Sequence, residues 1–250
     1  MTEPQKSLES NTRFRRTTMG GLVILLVFIL VRLMFHANGG AFVSKPLAFA
    51  MQYLDPLLLK DDLAQSLFYL HSQPPLFNGF LGVVLKLSST PSLSYEILFH
   101  TAGIIICLSF YGILSYLSIN WVISLFITVA FMLNPTLILY EHLLYYSYFE
   151  VLFVSLSLFF FIRWCREKKI ADVLLFWASL LCLCGIHSVF HPLFILATSI
   201  SLTSYLWFWI KDKQFAKMLF LASLLALAPL TALCIKNFLV FGFFGTSSWD

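Results

Sequence analysis

A succession of long apolar runs constrains this chain more than any other feature. Met19–Phe35, Ile97–Leu117, Trp121–Leu139, Leu143–Trp164, Val189–Ile210 and Met218–Phe241 each come near or exceed the roughly twenty residues that a helix needs to cross a bilayer. Two further runs, Leu76–Leu87 and Val173–Ile186, are short of that length, and the second must extend at one end if it is to span. No soluble core needs so much apolar chain. Hydrophobic residues make up 60% and charged residues 11%, against roughly 45–50% and 25% in a soluble domain. Within a bilayer the backbone must satisfy its own hydrogen bonds, so runs of this length are helices. The expected fold class is therefore all-α, a polytopic integral membrane protein. Its domain plan is a basic segment over 1–18, disordered or lying on the membrane surface, and a transmembrane domain over 19–250.

The charges set the orientation. Basic residues cluster at Arg13–Arg16, Arg163–Lys169 and Lys211–Lys217. Such clusters mark cytoplasmic loops under the positive-inside rule and argue against a nucleic-acid surface. If the N-terminus and Arg163–Lys169 are both cytoplasmic, an even number of spans separates them. Counting Leu76–Leu87 gives five and omitting it gives four, so that run is read as a helix that dips into the outer leaflet without crossing. The scheme has about seven spans, and it also places Lys211–Lys217 inside, which was not used to build it. Four polar segments then face outward: 36–78, 134–148, 187–191 and 245–250. Arg32, alone in the first span, is expected to snorkel to an interface. The basic flank and Ala37-Asn38-Gly39 also look like a signal peptide, but the spans that follow favour an uncleaved first helix. The turn after Gly245 would normally lead onward, so a C-terminal truncation is expected.

The first outer loop, 36–78, is the densest group of reactive side chains. Ala48–Leu54 and Pro56–Leu70 read as amphipathic interfacial helices, the second capped by Asp55 with Pro56 in its first turn. Helical spacing groups Asp62 with Ser66 and Tyr69. Asp61 and Asp62 are candidate general bases for an acceptor hydroxyl or amine. Tyr69, His71, Gln73 and Asn78, around the Pro74-Pro75 corner, are candidate contacts to a sugar or phosphate. Glu141 and His142, in a second patch after Asn134-Pro135, join them, since ionisable groups near apolar segments face a cavity or a partner. Glu150 is a weaker case of the same kind. His187 and His191 are spaced i, i+4, on one face if the helix is continuous; that spacing can bind metal, but no carboxylate partner motif accompanies it, and a phosphate contact, or a helix break at Pro192, is preferred. No metal ligand set is assigned, and assistance by a divalent cation stays open. The Cys182-x-Cys184 pair points to different sides of a helix and is read as packing. There is no phosphate-binding loop, dinucleotide fingerprint or nucleophile elbow.

With these residues assembled, the chain resembles the GT-C superfamily of membrane glycosyltransferases, in the branch of the dolichyl-phosphate-mannose–protein mannosyltransferases and the aminoarabinose transferases acting on lipid A. The likeness lies in the order of parts: a basic N-terminus and first span, a long outer loop with acidic residues (Asp61-Asp62), then His71-Ser-Gln-Pro-Pro-Leu-Phe-Asn78, and apolar helices with Asn134-Pro135 in mid-chain. The resemblance implies a polyprenyl-phosphate-linked sugar as donor, a lipid, glycan or protein acceptor, an inverting single displacement, and a multi-pass location in a bacterial inner membrane or the endoplasmic reticulum. It also implies that a first-loop acidic residue is the base, here Asp62 first and Asp61 second. A transporter or flippase for a lipid-linked substrate, and a non-catalytic membrane fragment, are the alternatives.

Overall fold

A computed structural model describes residues 3–248, with side chains from Thr18 onward. Trp249 and Asp250, the end of the 245–250 segment, lie outside the described residues. The described chain is all-α, and its one β-type contact is an isolated bridge between Val43 and Leu143. Helix α1 runs Glu3–Ala37, and its Thr18–Ala37 part is long and apolar enough to span. The same holds for α6 (Pro91–Tyr116), α9 (Ser147–Glu167), α11 with its π-helical continuation (Pro192–Ser204, Tyr205–Ile210) and α12 (Lys213–Phe241). Helices α7 (Trp121–Met132) and α8 (Pro135–Glu141) form a sixth candidate if taken as one span bent by 60°. The protein is thus a membrane-type helical bundle.

Several expected boundaries hold for visible reasons. Helix α5 is Leu76–Leu87. Helix α10, Ile170–Ile186, extends the short run at its start to 17 residues. Asp55 caps α3 (Pro56–Asp61) by accepting from the Leu57 amide at 2.7 Å, with Pro56 at the first helical position. Asn120 and Asn134 cap α7 and α8 in the same way.

Other expectations fail. Of the two alternatives for the segment before the first span, disorder fails, because the chain is helical from Glu3. The helix expected over Ala48–Leu54 is only the turn α2, Pro46–Phe49. The helix expected over Pro56–Leu70 breaks at Asp62, whose φ of −136° and ψ of 60° are not helical, and α4 (Leu63–Tyr69) begins after it. The 121–139 run is not straight either. The chain leaves α7 at Leu133, and Asn134-Pro135 starts a new helix, because proline disfavours the helical region for the residue before it.

The helices order the loops into two ends. At one end, Val43 donates to the His142 carbonyl and receives from Leu144, Tyr146 packs on His187, and Ser248 donates to the His71 carbonyl at 2.7 Å. At the other, Tyr116 bonds Glu167, Arg163 bonds Asp172, and Trp164 stacks on Phe215 at 4.2 Å with Lys168 over the same ring. The described parts of the four segments expected to converge therefore do meet at one end. The largest core beneath that end joins α5, α6 and α9 through Phe77, Leu81, Tyr95, Phe99 and Tyr148. A second core joins α9, α10 and α12 through Trp164, Trp177, Leu183 and Leu219.

Candidate active site

The first-loop helices are held down by close packing and backbone contacts. A Cβ on Gly82 of α5 would lie 2.2 Å from Leu63 Cδ1 and 3.2 Å from the Leu59 carbonyl, so the glycine lets α3 and α4 lie directly on α5. Lys236 of α12 donates to the Phe68 and Leu70 carbonyls at 2.9 and 3.0 Å, satisfying acceptors that the end of α4 leaves open. On this platform Asp61 and Asp62 are exposed, and neither side-chain carboxylate has a hydrogen bond or ion pair among the described residues. The break at Asp62 sets its carboxylate at a helix junction rather than in the middle of a continuous face, although the Ser66 amide still bonds the Asp62 carbonyl at 3.0 Å.

The expected substrate contacts divide into groups. Tyr69 is exposed, and the His71 ring packs on Phe241 at 4.5 Å. Gln73 and Asn78 are buried beneath the Pro74-Pro75 corner. Asn78 accepts from the Leu54 amide at 2.8 Å and donates to the Gln52 carbonyl at 3.1 Å, so its amide clamps the loop. Gln73 Oε1 is buried without a hydrogen-bond partner among the described residues. Gln73 and Asn78 line a narrow crevice with Tyr53, Phe77 and Tyr146. Burial pushes the Tyr53 and Tyr146 phenols up, so both stay protonated; Tyr53 donates to the Leu144 carbonyl at 3.2 Å. Tyr146 in turn packs at a tilt against His187, whose Nδ1 lies 2.8 Å from Glu150 Oε1.

His187 and His191 do not share a helix face. His187 ends α10 and His191 caps α11, where its Nδ1 accepts from the Leu193 amide at 3.2 Å. The break expected at Pro192 is therefore the alternative that holds, since proline suits a first helical turn and not a helix interior. Among the described residues no group of three or more His, Cys, Asp or Glu could hold a metal ion.

Glu141 belongs to a different cluster. It is fully buried and accepts from Arg32 Nε at 3.0 Å, from a second Arg32 nitrogen, from His100 Nδ1 at 2.6 Å and from Tyr148 Oη at 3.1 Å. Arg32 does not snorkel: it is buried over the Phe28 ring, which lies 4.2 Å from Cζ, and it pairs with Glu141. His142 packs between Phe35 and His100 and bonds the Ile138 carbonyl through Nδ1 at 2.8 Å. A cavity of about 410 Å³ opens beside this cluster, between α1 and α6. Sequence reasoning passed over Arg32, Glu96 and His100 as site residues. The available signal was that each is ionisable inside or at the edge of an apolar helix.

No family model matches this chain, and no curated protein or solved structure aligns with it significantly.

Proposed function

We propose that this protein transfers a sugar from a polyprenyl-phosphate donor to an acceptor on the outer face of its membrane, with Asp62, or Asp61 beside it, as general base. One observation carries the reading: two unpartnered carboxylates stand at a helix junction in the polar loop that follows the first span. A base needs a lone pair within hydrogen-bond reach of its substrate, and an exposed carboxylate outside any ion pair offers this most readily. The Pro74-Pro75 corner, with Gln73 and Tyr146 beneath it, and the amine of Lys236 lie at the same end of the bundle and offer hydrogen bonds and positive charge for a phosphate-linked sugar. The fold that goes with this reading is GT-C-like with about seven spans: α1, α6, the α7–α8 pair, α9, α10, α11 and α12. The α3–α4 pair then lies at the interface and α5 dips into the outer leaflet.

The test is transfer in vesicles from polyprenyl-phosphate sugars to a lipid or protein acceptor. Asp62→Asn is expected to lower kcat by about 100-fold or more, as removal of a general base does, and the double variant with Asp61→Asn to abolish turnover. Transfer at the wild-type rate in the double variant overturns the reading.

A second reading, a transporter or flippase, has its own observation in the buried Arg32–Glu141–His100 cluster beside a cavity. It predicts substrate movement across the bilayer without covalent change and loss of that movement in Glu141→Gln.

A further inference from the structure

The bonding around Glu141 fixes the chemistry of His100. Arg32 and Tyr148 are both donors to the Glu141 carboxylate, which is therefore an ionised acceptor. His100 Nδ1, at 2.6 Å from Oε1, must then carry a proton and donate it. In the neutral ring, Nε2 is left as a bare acceptor. It faces Glu96 Oε1 at 3.8 Å, beyond hydrogen-bonding distance. Two acceptors thus confront each other across a gap, and Glu96 and His100 both line the cavity.

The charges in the lining favour one kind of occupant. Arg32 is neutralised by Glu141. Among the described residues the one ion-pair contact of Glu96 is with the His100 ring, which is charged only when protonated. Half-buried beside apolar side chains, that carboxylate is poorly solvated, and a positive donor placed in the gap would satisfy Glu96 and Nε2 together. The His36 and His142 rings also line the cavity, and the remaining wall is apolar, with Ile29, Leu33, Leu93 and Ile97 all substantially exposed along α1 and α6. A volume of about 410 Å³ lies within the roughly 300–1,000 Å³ range of small-ligand sites.

We propose that the groove between α1 and α6 binds a primary-amine amphiphile, with its ammonium donating to Glu96 and to His100 Nε2 and its chain lying on Ile29, Leu33 and Ile97. The site is separate from the first-loop carboxylates and does not depend on the transfer reaction.

The test uses the full chain in phosphatidylcholine nanodiscs, whose headgroup has no N–H donor. Binding of decylammonium, decyltrimethylammonium, decanol and decanoate is measured by calorimetry at about pH 8, with empty nanodiscs as the partition control. Decylammonium is expected to bind saturably and more tightly than the other three. Glu96→Gln is expected to weaken it about tenfold or more, as loss of a close charge pair in a desolvated site does. Ile97→Trp, which fills the groove and leaves both acceptors in place, is expected to block it, so that a folding defect in one variant does not decide the outcome. Equal binding of decyltrimethylammonium or decanol, tighter binding of decanoate, or decylammonium binding unchanged in both variants overturns the proposal.

Discussion

Arg32 shows how far a residue's role can lie from its local sequence. Inside an apolar run, a lone arginine near a helix end reads as a snorkelling side chain. Its partner is 109 residues away, and no local pattern reveals a pairing at that separation. Removing a single member of a buried pair leaves the other charged and unsolvated, which costs roughly 3–5 kcal/mol. Glu141→Gln should therefore destabilise the bundle by about 3 kcal/mol or more in a reversible unfolding assay in detergent. Arg32→Met combined with Glu141→Leu should recover much of that loss, because an apolar replacement leaves no unpaired charge behind. If the double variant is as unstable as the single one, the charges are not the cause. His100 was hidden for a related reason: it sits in a long apolar helix, and only the fold brings Glu141 to its ring. Asp61 and Asp62 were legible because they are clustered and adjacent to turn signals, not because any packing identifies them.

At the scale of elements, hydropathy found the apolar helices but not their breaks. Leu76–Leu87 and the extension of the 173–186 run followed from the residues. The break at Asp62 did not, since neither Gly nor Pro marks it. The 60° bend after Met132 had a marker in Asn134-Pro135, but a continuous hydropathy signal ran across it. Close helix contact leaves no mark in the hydropathy pattern either. Gly82 looks like a tolerated small residue in an apolar helix, yet the α3 backbone approaches the place where a Cβ would stand. Gly82→Ala should therefore push the α3–α4 pair off α5. The expected cost is about 1–3 kcal/mol, typical of overpacking, and proteolysis near residues 60–70 should become faster. Unchanged protease resistance would show that Leu63 can swing aside and that the contact does not hold the pair in place.

For the whole molecule, the two ends defined by contacts give the proposed orientation a direct check. Cys165 is exposed at the end that carries Arg163–Lys169. Lys60 is exposed on α3, in the first loop. In sealed, right-side-out vesicles, an impermeant maleimide should label Lys60→Cys in a Cys165→Ser background. It should label native Cys165 only after the membrane is opened. Labelling of both from the same side would contradict the seven-span scheme and remove the first loop from the outer face.

The Arg32–Glu141 pair also has a consequence for the order of synthesis. Arg32 emerges with the first helix, whereas Glu141 follows 109 residues later. At about 5–20 residues per second, Arg32 waits roughly 5–20 s for its partner. During that interval its charge has to stay near a headgroup or in the insertion machinery. Until α8 brings Glu141 to it, Arg32 lacks the ion pair that it has in the finished bundle.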